Sequence, residues 1–145
     1  MSAHLQIDWN PPGPVAERFY WDDTNKVTAI MGPVGGGKSS AVAMKCVRRA
    51  RMQWPSTKDG VRRYSVVFVR DTYRQLWATT LKTWLSWIPA EAGKFTGSKD
   101  APAEHLVRFR LQDGSICELQ AFFLAIGENK VEDVLRGFEF TDAVT

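Results

Sequence analysis

Val27-Thr28-Ala29-Ile30-Met31-Gly32-Pro33-Val34-Gly35-Gly36-Gly37-Lys38-Ser39-Ser40 is the stretch on which the fold turns. From Gly32 to Ser39 it fits the pattern G-x-x-x-x-G-K-[ST] without a mismatch. The apolar run Val27–Met31 before it reads as a buried strand. Lys38 to about Gln53 after it reads as a helix, with Ala41, Val42, Cys46 and Ala50 facing a sheet and Lys45, Arg48, Arg49 and Arg51 facing water. Strand, glycine-rich turn and helix are the setting a phosphate-binding loop requires. Glycines let successive backbone N–H groups converge on phosphate oxygens. The helix start adds its own unpaired N–H groups and the positive end of its dipole. On this reading Gly32, Pro33, Val34, Gly35, Gly36 and Gly37 cradle phosphates, and Lys38 reaches the β- and γ-phosphates. Ser39 offers its hydroxyl to Mg²⁺, and Ser40 reaches an α-phosphate. The alternative is a glycine-rich turn that fits by chance; the flanking strand and helix favour the phosphate reading.

Binding is not hydrolysis, which also needs an acid on Mg²⁺ and a group that orients water. Asp142 follows Phe138-Glu139-Phe140-Thr141 and precedes Ala143, a poor match to an apolar strand ending in an acid. Two roles stay open for it, a Mg²⁺ ligand or a carboxylate at a strand end.

Outward from the loop, residues 1–25 read as an irregular segment because Pro11, Pro12, Gly13 and Pro14 forbid a regular element, with a short amphipathic piece at Val15–Tyr20. Tyr64–Val69 reads as a second buried strand. Asp71 or Thr72 caps a helix to about Ile88 with a core stripe of Trp77, Leu81, Trp84, Leu85 and Ile88, leaving Trp87 ambiguous at its edge. Pro89–Glu104 reads as a long loop. Val107, Phe109 and Leu111 alternate with Arg108 and Arg110, Asp113-Gly114 turns the chain, and Ser115–Phe123 returns as a strand, which is a hairpin signal. Glu128–Arg136 reads as a short helix or helical turn, and Phe138 opens a last strand.

With 145 residues, 44% hydrophobic and 24% charged, the chain has room for one domain with a core of its own. The longest apolar run, Ala121–Ile126, is far below the roughly 20 residues of a membrane span, so no membrane role is expected. The N-terminus has no secretory pattern. Two cysteines, Cys46 and Cys117, make no disulfide framework, and with only His4 and His105 no zinc pattern arises; buried thiols in a reducing compartment are expected. Nineteen Lys and Arg against sixteen Asp and Glu leave a net charge of +3, which permits nucleic-acid contact without establishing it.

Four segments in order resemble the N-terminal ATPase domain of the tailed-phage terminase large subunits, the DNA-packaging motors. Ile30–Ser39 is similar to that family's nucleotide loop. Val69-Arg70-Asp71-Thr72-Tyr73-Arg74-Gln75-Leu76 with Thr79–Trp84 resembles its second strand and helix. Asp113-Gly114-Ser115 with Phe122–Ala125 resembles its central hairpin, and Val134–Thr141 the approach to its acidic strand. The resemblance implies an α/β P-loop NTPase of the ASCE type, with a mainly parallel sheet, flanking helices and a β-hairpin, so that 26–145 form a partial P-loop ATPase domain. It implies ATP and Mg²⁺ as cofactors, and double-stranded DNA, a portal protein and a small terminase subunit as partners. It also implies a homo-oligomeric ring when full length, working in the host cytoplasm on a procapsid. Lys38 then acts in catalysis, and Arg136 matches the position of an arginine finger, its other reading being an exposed arginine at a strand entry. Trp9 or Phe19 falls in the adenine region, as a stacking or a packing residue.

The family's catalytic Glu would lie beyond Thr145, and its last strands and nuclease domain are not in the sequence, so the fold is expected to be incomplete at the C-terminus and the chain weakly active or inactive alone. A non-catalytic remnant that binds nucleotide, and a different P-loop ATPase, are the alternatives. DNA contact would come from basic loops, with Arg62-Arg63 and Lys94–Lys99 the candidates and ordinary solvated loops the other reading.

Overall fold

A computed structural model of the chain describes residues 7–25, 27–31, 37–98, 101–127, 133, 135, 136 and 139–145. Strand β1, Arg62–Arg70, is the organising element. Its run Val66-Val67-Phe68-Val69 is buried on both faces, as a central strand requires. Along its whole length β1 pairs in parallel with β4, Ile116–Ala125, and at Val66–Phe68 with the short β5, Asp142–Val144. Strand β3, Ala103–Arg110, runs antiparallel to β4 as the predicted hairpin. Asp113 accepts from the backbone N–H of Ser115 at 2.9 Å and closes its turn. Strand β2, Lys94–Thr96, pairs antiparallel with β3, giving the order β2-β3-β4-β1-β5.

The fold is therefore α/β, but the sheet is mixed where a mainly parallel one was expected. The hairpin and β2 form an antiparallel half. The expected strand Val27–Met31 does not form; Val27 and Met31 are each 86% exposed. Its apolar run suits a strand covered on both faces, and that cover is missing at these two side chains. Pro89–Glu104 is not all loop: it holds a turn of 3-10 helix at Ala90–Ala92 and β2.

One face of the sheet carries the main core. Helix α1, Pro14–Trp21, matches the short amphipathic piece and starts on a proline, whose missing N–H costs nothing there. Helix α2, Lys38–Arg51, lies on β1 and β4. The second helical run is capped by Thr72, whose hydroxyl accepts from Gln75 N. It comprises α3, Tyr73–Gln75, a π-helical stretch, Leu76–Leu81, and α4, Lys82–Trp87. The π turn moves the stripe: Leu76 joins Leu81, Trp84 and Ile88 in the core, while Trp77 and Leu85 are only partly buried. Trp84 packs edge-on against Phe68 and Phe123, with centroids at 5.5 and 5.8 Å, and its indole N–H donates to Nδ1 of buried His105 at 3.0 Å. Burial lowers the pKa of His105, partly opposed by the backbone of Ala90. The other face carries a small cluster, Val67, Val69 and Leu124, against which Leu135 packs.

Lys45 and Arg48, expected in water, are buried because α1 and the segment after it cover that side of α2. Arg48 donates to both oxygens of Asp23, at 2.8 and 2.6 Å, and to the Tyr20 carbonyl at 2.6 Å. The ammonium of Lys45 donates to Thr28 Oγ1 at 3.2 Å and lies 4.4 Å from the centroid of Phe19. The expected helix at Glu128–Arg136 and the strand start at Phe138 lie largely outside the described residues; Asp133 and Leu135 are helical, and Arg136 is in a turn.

Candidate phosphate-binding site

Helix α2 begins on Lys38, straight after Gly37, which takes the left-handed conformation at φ 76° that glycine adopts without strain. Its first intrahelical bond runs from Ala41 N to Gly37 O at 2.9 Å. Among the described residues no side chain caps this end. The N–H groups of its first turn therefore have no intrahelical acceptor, the state in which a helix start takes an anion. Gly32, Pro33, Val34, Gly35 and Gly36 lie outside the described residues.

Lys38 and Ser39 line a cavity of about 850 Å³, with Thr28–Ile30 on one side and Phe68–Arg70, Asp142 and Thr145 among the other walls. Strand direction relates the start of α2 to the two ends of the sheet. The far end of α2 meets the start of β4, where the Cys117 thiol donates to the Ala50 carbonyl at 3.3 Å. The near end of α2 therefore points to the carboxyl ends of β1 and β4, the end at which open α/β sheets take ligands.

Asp142 lines the same cavity farther along α2, beside Arg49. It opens β5, opposite Val66 in the middle of β1. Both of its oxygens are engaged: Arg49 donates from Nε at 2.5 Å and from Nη2 at 3.1 Å, and the Tyr64 hydroxyl donates at 2.6 Å. Arg49 stands ~16 Å along the helix from Lys38. The bond to Asp142 raises the pKa of Arg49, so this guanidinium stays charged. Burial raises the pKa of the Tyr64 phenol and pushes the neighbouring Cys46 thiol up to about 12. Cys117 is likewise pushed up by burial, to about 11. Of the two oxygen donors expected for Mg²⁺, Ser39 is exposed on the cavity wall, and Asp142 is held by a cation and a phenol. Among the described residues no three His, Cys, Asp or Glu come together as a metal cluster.

The Ser40 hydroxyl accepts from the indole N–H of Trp87 at 2.9 Å, which gives that ambiguous tryptophan a partner. Arg136 is 81% exposed, lies outside the cavity lining and pairs with Asp133 at 3.3 Å. Trp9 packs on Tyr20 with ring centroids 5.2 Å apart, whereas Phe19 lines the cavity. Of the basic loops, Arg62 donates to the Gln53 carbonyl at 2.6 Å, and Arg63 pairs with Asp59 at 2.6 Å. Lys94 is exposed on β2, and Lys99 lies outside the described residues.

Sequence reasoning missed Arg70 on the cavity wall. Its signal was the period of two along β1: Tyr64, Val66 and Phe68 face the main core, and Arg70 continues their side. Comparison with protein-family models, curated proteins and solved structures finds no match to this chain. Among the described residues no helix is long and apolar enough to cross a membrane.

Proposed function

We propose that this chain binds the phosphates of Mg-ATP at Gly32–Ser39 and is the ATP-binding portion of a phage terminase large subunit. Such a motor hydrolyses ATP to translocate double-stranded DNA into a procapsid. The observation that carries the nucleotide reading is the start of α2 at Lys38, directly behind the glycine-rich signature and on the wall of a cavity that reaches the carboxyl end of β1. On this reading backbone N–H groups of the loop and of the first turn bind phosphate oxygens. Lys38 neutralises charge on the terminal phosphates, and the Ser39 hydroxyl is a ligand for Mg²⁺, which supplies charge neutralisation on the β- and γ-oxygens. Arg136 acts on the nucleotide of a neighbouring subunit in a ring. Double-stranded DNA, a portal protein and a small terminase subunit are the partners, and the host cytoplasm is the place of action. These finer assignments rest on the resemblance of the four sequence segments.

One observation favours a second reading, a nucleotide-binding module that does not turn ATP over. The Asp142 carboxylate is committed to Arg49 and Tyr64, and Asp23 on the same cavity wall to Arg48, which leaves neither of these two acids free for Mg²⁺. Binding of a fluorescent ATP analogue, followed by phosphate release with and without double-stranded DNA, tests both readings. Saturable binding lost in Lys38→Ala is expected. DNA-stimulated phosphate release would select the motor reading, and binding without release the second. Equal behaviour of the Lys38→Ala variant would end the nucleotide reading.

A further inference from the structure

We propose that Arg70 is a second phosphate-binding cation of this site, contacting the terminal phosphate of a nucleoside triphosphate from the carboxyl end of β1. The inference rests on the nucleotide reading above and adds to it a residue that distinguishes tri- from diphosphate.

Three observations converge on Arg70. It is the last residue of β1, at the sheet end where the start of α2 lies. Residues Tyr64, Val66 and Phe68 belong to the core beneath α2, so the alternation along the strand puts Arg70 on the α2 side as well. Distances along the two elements agree: from Tyr64 to Arg70 the strand rises ~20 Å, and from Arg49 to Lys38 the helix rises ~16 Å. Because Tyr64 and Arg49 share Asp142, Arg70 and Lys38 come out at a similar level, and both line the same cavity.

The third observation is chemical. Arg70 is half-buried, yet its guanidinium makes no hydrogen bond or ion pair among the described residues. Its neighbours differ: Arg48, Arg49, Arg62 and Arg63 each hold a carboxylate. A guanidinium kept partly from water without an anion is poorly satisfied, and its planar fork matches phosphate oxygens in pairs. Lys38 is a single point charge, so Arg70 adds directional recognition at the end of the phosphate chain.

Equilibrium binding of ATP, ADP and AMP to the wild-type chain, Arg70→Ala, Arg70→Lys and Lys38→Ala tests this, with far-ultraviolet circular dichroism on each variant to select folded material. Arg70→Ala is expected to lose about 10- to 100-fold in ATP affinity, to change little for ADP, and to be partly rescued by Arg70→Lys. Equal losses for ATP and ADP, or no loss, overturn the role of Arg70 while leaving the nucleotide reading intact. A wild-type chain that binds none of the three overturns both. If Arg70→Ala does not fold, the Arg70→Lys variant carries the test: an unchanged ATP-to-ADP ratio there also overturns the proposal.

Discussion

Replacing Tyr64 by Phe and Asp142 by Ala, singly and together, asks what Asp142 does. Tyr64 is 1% exposed, and its hydroxyl meets a carboxylate oxygen at 2.6 Å. A hydrogen bond to a charged group contributes ~1.5–3 kcal/mol. The Asp142 side chain is 27% exposed, so water takes part of that bond's place, and the low end, ~1.5 kcal/mol, is expected for Tyr64→Phe. Asp142→Ala removes more. It leaves the Tyr64 hydroxyl buried without an acceptor and strips Arg49 of its bidentate partner, for a loss of ~2–3 kcal/mol. The double variant is expected to fall short of the sum by ~1 kcal/mol or more, since both changes delete the same bond. Urea unfolding measures all three, and in a domain of this size ~1.5 kcal/mol also lowers the melting temperature by ~3–6 °C. The functional arm compares nucleotide binding with Mg²⁺ and with EDTA. A structural carboxylate leaves that ratio unchanged in Asp142→Ala. Additive losses, or a Tyr64→Phe variant within ~0.5 kcal/mol of wild type, would refute the hydrogen-bonded arrangement. A folded Asp142→Ala protein whose binding no longer responds to Mg²⁺ would make Asp142 a metal ligand after all.

Two further outcomes follow from the geometry. Arg48 holds the Asp23 carboxyl below its ordinary value of 3.8, so Asp23 contributes stability that is full above that value and is lost as pH falls through its lower folded-state pKa. Asp23→Asn is expected to cost ~1–2 kcal/mol at neutral pH, with the gap to wild type closing in acid below pH 3.8; urea midpoints at several pH values read it, and a gap independent of pH refutes it. At Gly93 an added Cβ would stand 2.1 Å from the Leu106 carbonyl oxygen, so Gly93→Ala must push β3 aside. A loss of ~1–3 kcal/mol by chemical denaturation is expected, and a variant as stable as wild type contradicts the close approach.

Local patterns were legible where burial alone sets them. The run Val66–Val69 marks a strand covered on both faces, and Val107 and Phe109 against Arg108 and Arg110 mark one covered on a single face. The turn at Asp113-Gly114 then fixes the hairpin. What escaped the sequence depends on distant neighbours. Nothing near Arg48 announces a carboxylate 25 residues earlier, and nothing near Asp142 announces Arg49 or Tyr64, 93 and 78 residues away. Val27–Met31 has strand composition, but composition supplies no hydrogen-bonded neighbour. The three-residue β2 is too short to show a period, and the π turn shifts a helical stripe that simple spacing puts one face over.

The candidate site is legible as a motif, whereas the end of the sheet it faces follows from the direction of α2. That helix spends its charges unevenly. Toward its carboxyl end Arg48 is tied to Asp23, and Arg49 to Asp142, which fastens the helix to the N-terminal segment and to β5. Its amino end lies beside the cavity. On the nucleotide reading, fastening at one end holds the first-turn N–H groups at the other at a fixed height above the strands, and a fixed donor array is worth more to an anion than a mobile one. If the chain binds nucleotide there, loosening the Arg49–Asp142 pair is expected to act on phosphate binding through the position of the helix. It therefore weakens free ATP and Mg-ATP by the same factor, whereas loss of a metal ligand would weaken Mg-ATP alone.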